Sequence, residues 1–200
     1  MSAALAGVRL LVSAGPTYED IDPVRFIGNR SSGKMGFAIA AVAAERGAEV
    51  VLVAGPVHMA TPPGVRRVDV RSAAQMHDAV MARLETGQAP CDAYIGAAAV
   101  ADFAPLAIAS NKLKKRPGQD TLVLELVKTR DILAEVAAHA ARPRLVVGFA
   151  AETDNVAGYA RGKLERKGVD LICANRVGIA GGGFESDDKA LLVIDREGER

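Results

Sequence analysis

A polar turn at 28–35 concentrates side chains that can bind a ligand. It reads Gly-Asn-Arg-Ser-Ser-Gly-Lys-Met and is one residue short of the phosphate-binding pattern GxxxxGK(S/T), because Met35 replaces the hydroxyl that would hold Mg²⁺. That pattern directly follows a buried strand, whereas the segment before this turn contains Pro23 and charged side chains. We therefore interpret the turn as another kind of polar site, in which the Asn29 amide, the serine hydroxyls and a helix start bind an anion or a polar ligand.

Lysines form two further groups. Residues 111–116 read Asn-Lys-Leu-Lys-Lys-Arg, a run that by itself is usually a solvated turn, but we expect at least one of its lysines to face a phosphate. Lys163 and Lys167 are four residues apart and share one face of a predicted helix. Because like charges at this spacing repel, that face is either simply solvated or binds an anion between the two lysines.

A segment of small residues ends in a carboxylate. Residues 97–102 read Ala-Ala-Ala-Val-Ala-Asp after a predicted strand, so a ligand can approach the backbone closely. Dense packing of a helix on the sheet would explain the alanines but not Asp102. Gly181, Gly182 and Gly183 lack a following helix and are interpreted as a connector.

The composition excludes several classes of protein. With 50% hydrophobic and 24% charged residues, the 200-residue chain is apolar and long enough to bury a core and is not disordered. The 25 basic and 24 acidic residues argue against a nucleic-acid or membrane-surface binder, and no apolar run approaches the roughly 20 residues of a membrane span. No metal cluster, disulfide framework or His-centred triad is visible, and isolated cysteines predict a cytoplasmic protein. The scattered residues are Cys91, Cys173, His58, His77 and His139.

Short apolar runs alternate with helical segments along the chain. Strands are predicted at 8–13, 49–54, 67–70, 92–98, 122–127, 144–148, 170–174 and 190–195, and helices at 33–46, 72–85, 131–141 and 155–167. Continuous apolar runs between helices indicate a mainly parallel sheet with helices on both faces, that is, a Rossmann-like, doubly wound α/β fold in a single domain over 1–200. The long loops 14–32, 99–120 and 175–188 follow strands, and we expect them at the carboxyl edge of the sheet, where such folds bind ligands.

Seven segments, taken in order, resemble one family, phosphopantothenoylcysteine synthetase, the ligase half of a bifunctional coenzyme A biosynthesis protein. Any one of these motifs is a weak signal, but seven in order at the spacing of the family are highly specific. The Rossmann-like fold of the family agrees with the pattern of elements. The segments are Val12-Ser-Ala-Gly-Pro-Thr17, Ile21-Asp-Pro-Val-Arg25, Ser31-Ser-Gly-Lys-Met-Gly36, Ala98-Ala-Val-Ala-Asp102, Lys112-Leu-Lys-Lys115, Gly148-Phe-Ala-Ala-Glu-Thr153 and Asp170-Leu-Ile-Cys-Ala-Asn175.

The resemblance implies a ligation in two steps. The carboxylate of 4′-phosphopantothenate attacks the α-phosphate of CTP, and the amine of cysteine then attacks the resulting acyl-cytidylate and releases CMP. It implies Mg²⁺ with CTP, no flavin in this chain and a homodimer. A phosphopantothenoylcysteine decarboxylase would be fused or separate, and the family's helical tail would extend beyond Arg200. The metal ligands are not indicated.

The resemblance also assigns roles to residues. Lys112 would form the acyl-cytidylate, Asn29 would hold it for attack by cysteine, and Lys114 and Lys115 would belong to a flap over the site. Besides Lys112, the positions implied in CTP binding are Gly96, Ala97, Ala98, Asp102, Arg130, Asp131, Ile132, Leu133, Phe149, Lys163 and Lys167. The chain departs from the family pattern at Arg30, Asn111, Arg130 and Arg176.

Three alternatives stay open on the residues. Instead of a CTP-dependent ligase, the chain would be an ATP-using version of the same ligase, a non-catalytic Rossmann nucleotide-binding module, or a structural partner subunit. Against the nucleotide-binding module, the first turn Ser13-Ala-Gly-Pro-Thr17 lacks GxGxxG, and no acidic residue ends the second strand to bind a ribose.

Overall fold

The elements of the fold were defined in a computed structural model, which describes residues 3–85, 91–115, 117–118, 120–152, 154–176 and 191–199. The strands are β1 (Arg9–Ala14), β2 (Tyr18–Asp20), β3 (Phe26–Gly28), β4 (Glu49–Ala54), β5 (Val65–Asp69), β6 (Ala93–Gly96), β7 (Phe103–Pro105), β8 (Leu126–Lys128), β9 (Leu145–Glu152), β10 (Leu171–Arg176) and β11 (Leu192–Asp195). The helices are α1 (Lys34–Glu45), α2 (Ala73–Glu85), α3 (Ile132–Ala138) and α4 (Val156–Lys167).

A seven-stranded sheet organises the fold, in the order β11-β10-β9-β6-β1-β4-β5. All its pairs are parallel except β10 with β11, and β11 and β5 are its edges. After β1 the chain builds outward through β4 and β5, and then returns to β6 on the other side of β1. This reversal between β1 and β6 is the topological switch point of a doubly wound fold, and it confirms the predicted fold class.

The two faces of the sheet are covered by different helices. Helices α2, α3 and α4 pack on one face around Leu11, Tyr94 and Ile172. Helix α1 packs on the other face, where Phe37 lies among side chains of β1 and β4. Helix α1 lies so close to β1 that a Cβ at Gly36 would collide with the Ala14 side chain.

Local sequence signals fix several helix ends. A capping box begins α2, since Ser72 Oγ accepts from the Gln75 amide at 3.2 Å and Gln75 Oε1 accepts from the Ser72 amide at 3.3 Å. Asp131 Oδ1 caps α3 by accepting from the Ala134 amide at 3.1 Å. Gly168 ends α4 with a φ of 65°, a conformation that suits glycine.

The predicted sheet strand at 122–127 is wrong. The structure has a three-residue β8, which pairs antiparallel with β7 in a separate two-stranded unit, here called the β-ribbon. Leu122 and Val123 are exposed, so an apolar run that suggested a core strand lies at the surface instead. The antiparallel hairpin of β2 and β3 was also not predicted within the loop 14–32.

Other predicted boundaries moved by a few residues. Strand β9 continues four residues beyond the predicted end at Gly148, to Glu152, because a glycine inside a strand resembles a strand end. Residues 181–183 and most of the loop 175–188 lie outside the described residues. Among the described helices, none has the length and hydropathy needed to cross a bilayer.

Candidate functional site

A cleft opens at the carboxyl ends of β1, β6 and β9, beside the switch point. Its wider part, the outer cleft, has a volume of about 530 Å³ and lies between the turn 29–36, the segment 97–102, Phe149 and Lys163. Its narrower part, the inner pocket, has a volume of about 150 Å³ and is lined by Ser13, Tyr94 and the turn 128–133. Even without the inner pocket, the volume of the outer cleft is within the size range of small-molecule sites.

Asn29 connects the polar turn to the small-residue segment. Its side-chain Nδ2 donates to the carbonyl of Val100 at 2.9 Å and of Ala99 at 3.3 Å. The turn then enters α1 through Gly33, whose φ is 77° and whose amide donates to Ser31 Oγ at 3.3 Å. The start of α1 therefore lines the outer cleft, where the positive end of the helix dipole favours an anion.

Main-chain hydrogen bonds hold the small-residue segment against β1. The Ala97 amide donates to Ser13 O at 3.0 Å, and the Ala99 amide donates to Gly15 O at 2.8 Å. Thr17, which is fully buried, accepts from the Ala101 amide at 3.0 Å. Asp102 follows as an exposed carboxylate that contributes to both parts of the cleft.

The two lysines of α4 are in different electrostatic environments. Lys167 Nζ pairs with Asp131 at 2.9 Å, whereas Lys163 Nζ donates to the neutral carbonyl of Phe149 at 2.7 Å. Burial lowers the pKa of Lys163 below its usual range, and the nearby charge of Lys167 adds to this effect. Of the two, Lys163 has the charge that a bound anion would stabilise most.

Hydroxyl groups and a partly buried leucine form the floor of the inner pocket. Ser13 Oγ and Tyr94 OH are 2.9 Å apart, and burial raises the pKa of Tyr94 to about 12, so both hydroxyls are neutral at physiological pH. Leu133 lies over Gly148, where a Cβ would come within 2.5 Å of the leucine side chain. The shape of the pocket thus depends on a glycine in β9.

Asp131 anchors the end of the inner pocket. Burial raises the pKa of this carboxyl, but hydrogen bonds from Lys167 and the Ala134 amide outweigh that effect and keep the pKa below its usual range. The ionised Asp131 therefore caps α3 and compensates Lys167 at the same time.

The lysine-containing segment 111–115, here called the basic loop, is attached to the rest of the chain through a buried carboxylate. Asp22 Oδ2 accepts from the Leu113 amide at 3.0 Å, and Arg25 Nη2 donates to the Leu113 carbonyl at 2.9 Å. Asp22 also pairs with the Arg25 guanidinium, which holds the pKa of Asp22 well below its usual range. We call Asp22, Arg25 and Leu113 the loop clamp.

The replacement Asp22→Asn is expected to release the basic loop. An amide retains one oxygen acceptor but loses the charge that pairs with Arg25, so the Leu113 hydrogen bonds weaken. Trypsin should then cut after Lys112, Lys114 or Lys115 several times faster than in the wild type, as measured by mass spectrometry over time. Asp20→Asn is the matched control, because Asp20 lies in the same hairpin but pairs with Arg71, outside the hairpin. Equal cleavage rates in the two variants would contradict the clamp.

The structure places nearly all the candidate residues in the cleft. Those that line it are Asn29, Gly96, Ala97, Ala98, Asp102, Arg130, Asp131, Ile132, Leu133, Phe149, Lys163 and Lys167. Lys112, Lys114 and Lys115 are exposed and are not among the residues that line it. The loop clamp was not foreseen, although Asp22-Pro23 is a typical turn signal.

Comparisons with known proteins give one consistent result. Residues 5–200 match the family described as DNA/pantothenate metabolism flavoprotein C-terminal domain. The chain is 53% identical over 195 residues to the coenzyme A biosynthesis bifunctional protein CoaBC of Vibrio cholerae, covering 98% of this chain and 48% of that protein. It is 50% identical over 197 residues to CoaBC of Escherichia coli, covering 98% and 48%.

A solved structure agrees. The crystal structure of the C-terminal domain of a CoaBC protein superposes with a TM-score of 0.80 and 41% identity, covering 98% of this chain and 86% of that one. The chain spans about half the length of the curated relatives that it matches.

Proposed function

The chain belongs to the family of DNA/pantothenate metabolism flavoprotein C-terminal domains, and on that basis we propose that it ligates 4′-phosphopantothenate to cysteine in coenzyme A biosynthesis. CTP would activate the carboxylate, with pyrophosphate and CMP as the released products. The observation that carries the proposal is the single cleft in which Asn29, Asp102 and Lys163 meet the start of α1.

In the first step, a carboxylate oxygen of 4′-phosphopantothenate forms a bond to the α-phosphorus of CTP, and the bond to the pyrophosphate oxygen breaks. Negative charge increases on the phosphate oxygens as this happens. Lys163 and the positive end of the α1 dipole place positive charge at the cleft, which supports stabilisation of that charge. Lys112 is also proposed for this step, with the basic loop closing over the cleft as a flap.

In the second step, the cysteine amine forms a bond to the activated carbonyl carbon, CMP leaves with the anhydride oxygen, and the amine loses its proton to CMP or solvent. Oxygen charge develops at the carbonyl, where a fixed amide donor is effective. Asn29, which the Val100 carbonyl already orients, is the residue proposed to hold the intermediate. Neither step needs a protein nucleophile.

The residues also fit a magnesium ion that arrives with the nucleotide. Among the described residues, no group of three or more His, Cys, Asp or Glu side chains is suitable for a metal ion, but Mg²⁺ typically uses one or two carboxylates plus substrate phosphates. Asp102 and Glu152 line the side of the cleft next to Lys163 and are the carboxylates proposed to hold it. When bound, Mg²⁺ neutralises phosphate charge.

A homodimer is part of the proposal, supported by the exposed apolar surface of the β-ribbon. Phe103, Leu126 and Val127 are each at least 41% exposed there, and exposed apolar patches are typical of interaction sites. Light scattering on the purified chain is expected to give twice the 20.8 kDa mass, and Val127→Glu should shift the protein toward 20.8 kDa. A wild-type mass of one chain would contradict the dimer.

The relatives are bifunctional proteins, so a decarboxylase partner, fused or separate, belongs to the same proposal. We expect no flavin in this chain, and a cytoplasmic location remains the prediction from the sequence.

Pyrophosphate release tests the function directly. The purified protein is incubated with Mg²⁺, 4′-phosphopantothenate and either CTP or ATP, with and without cysteine. Release that requires CTP and the pantothenate acid together is the expected result, and formation of phosphopantothenoylcysteine on adding cysteine completes it. Pyrophosphate release with ATP and 4′-phosphopantothenate, but not with CTP, would identify the ATP-using version. Binding of NAD(P) without pyrophosphate release from either nucleotide would favour a non-catalytic module.

A further inference from the structure

The turn 129–133, which forms one wall of the inner pocket, is fixed at both of its ends. Thr129 donates through its amide to Asp102 O at 2.9 Å and through its hydroxyl to Ala101 O at 2.7 Å. At the other end, Asp131 pairs with Lys167 and caps α3. Arg130 lies between these two anchors, in the middle of the turn.

The Arg130 side chain is bound on the far side of the turn, in a surface cavity between α2 and α3. Its Nε donates to Glu135 Oε1 at 3.1 Å, and its Nη2 donates to Glu135 Oε2 at 2.5 Å. This two-point contact fixes the orientation of the guanidinium as well as its distance. Glu135 is one turn into α3, so the contact attaches the turn to the helix that it introduces.

Glu135 is itself held by a histidine on another helix. His77 of α2 is 3% exposed, and its Nε2 lies 3.1 Å from Glu135 Oε2. Its Nδ1 lies 2.9 Å from Asp78 Oδ1 and 3.3 Å from Arg130 Nη1. The imidazole therefore contacts both members of the ion pair, and α2 is packed on the sheet through Met76 and Val80.

Charge supports the same arrangement. The Arg130 guanidinium, with the nearby His77, lowers the pKa of Glu135 below its usual range, so the carboxylate is ionised at neutral pH. Arg130 is 63% exposed, and an exposed ion pair alone contributes little. The link to the buried His77 makes the network more than a surface pair, since it joins the turn to the core of the sheet.

We propose that Glu135 and His77 are positioning residues for the nucleotide: they hold the Arg130 side chain outside the inner pocket, so that the backbone of the turn 130–133 is presented to the ligand. This inference rests on the proposed function, because it deepens the role of the same cleft. It assigns an effect on nucleotide affinity to Glu135 and His77, which are not among the residues that line the inner pocket.

The test compares Glu135→Gln, Arg130→Met and the double variant in the steady-state ligation assay. Each single variant is expected to raise the KM for CTP about fivefold, roughly 1 kcal/mol at 1.4 kcal/mol per factor of ten, with kcat and the KM for cysteine unchanged. The double variant should be no worse than Arg130→Met, because both changes break one contact. Arg161→Met and Glu199→Gln, which break an exposed ion pair elsewhere, should leave all constants unchanged.

Two results would overturn the inference while the ligase activity stands. A raised KM in Arg130→Met but not in Glu135→Gln would mean that Arg130 contacts the nucleotide directly. Unchanged KM values in both would mean that the network does not act on the cleft.

Hydrogen exchange separates this inference from the proposed function. Glu135→Gln should speed exchange of the Ala134 and Glu135 amides, which bond to Asp131, by about tenfold relative to Glu199→Gln. If the wild type shows no ligation, the proposed function fails, and this measurement still decides whether the network holds the turn. Equal exchange rates in the two variants would reject it.

Discussion

Lys163→Met is expected to lower the rate of CTP-dependent ligation by about 10²–10³-fold, the usual cost of removing one charge-stabilising group from an active site. The side chain is partly buried in the cleft, bonded to the Phe149 carbonyl at 2.7 Å. Methionine has a similar length and apolar character, so it should preserve the packing while removing the charge. Initial rates of pyrophosphate release measure the effect.

The pH dependence follows from the environment of Lys163. Burial, with Lys167 nearby, lowers its pKa, so the unliganded protein loses this ammonium charge at a lower pH than for an exposed lysine. The wild-type kcat/KM should therefore fall on the alkaline side before ordinary lysines titrate, and the residual activity of Lys163→Met should lack that fall. Arg161→Met on the same helix is the control; an equal loss of activity there would show damage to α4 rather than to the site.

Asn29→Asp is expected to separate the two steps of the reaction. A carboxylate in place of Nδ2 faces the Val100 and Ala99 carbonyls, which accept hydrogen bonds from the amide in the wild type, so the side chain must turn away. The acyl-cytidylate then forms, but it is not held for cysteine. Single-turnover assays should show pyrophosphate release with product formation reduced by about 10²-fold.

The matched control for Asn29→Asp is Asn111→Asp. It makes the same change of charge at an exposed position of the basic loop, and both steps should proceed at the wild-type rate. An equal loss of both steps in Asn29→Asp would mean that the residue acts on nucleotide binding, and not specifically on the intermediate.

The features that could be predicted from the sequence depend on neighbours along the chain. The spacing of Lys163 and Lys167 placed them on one helix face, and the small residues before Asp102 predicted a crevice at the end of β6. The alternation of strands and helices was enough for the doubly wound fold, because buried parallel strands are continuously apolar.

The features that were missed join distant segments. Asp22 reaches Leu113 across 91 positions, and His77 reaches Glu135 across 58; such pairs produce no periodicity in a single sequence. The exposed run at 122–127 misled for a related reason, since apolar residues at a surface and in a core have the same pattern. Lys112 shows most directly what a sequence pattern cannot predict, because its role depends on where the whole basic loop lies relative to the cleft.

The edge strand β5 has a consequence for how the protein behaves at high concentration. An edge strand with unpaired backbone groups can recruit a strand of another molecule, and charged side chains are a common protection. On β5, Arg66 is exposed and Arg67 pairs with Asp69 at 2.7 Å. With a net charge of only +1, repulsion between whole molecules is weak, so we expect the charges placed at this edge to contribute to solubility.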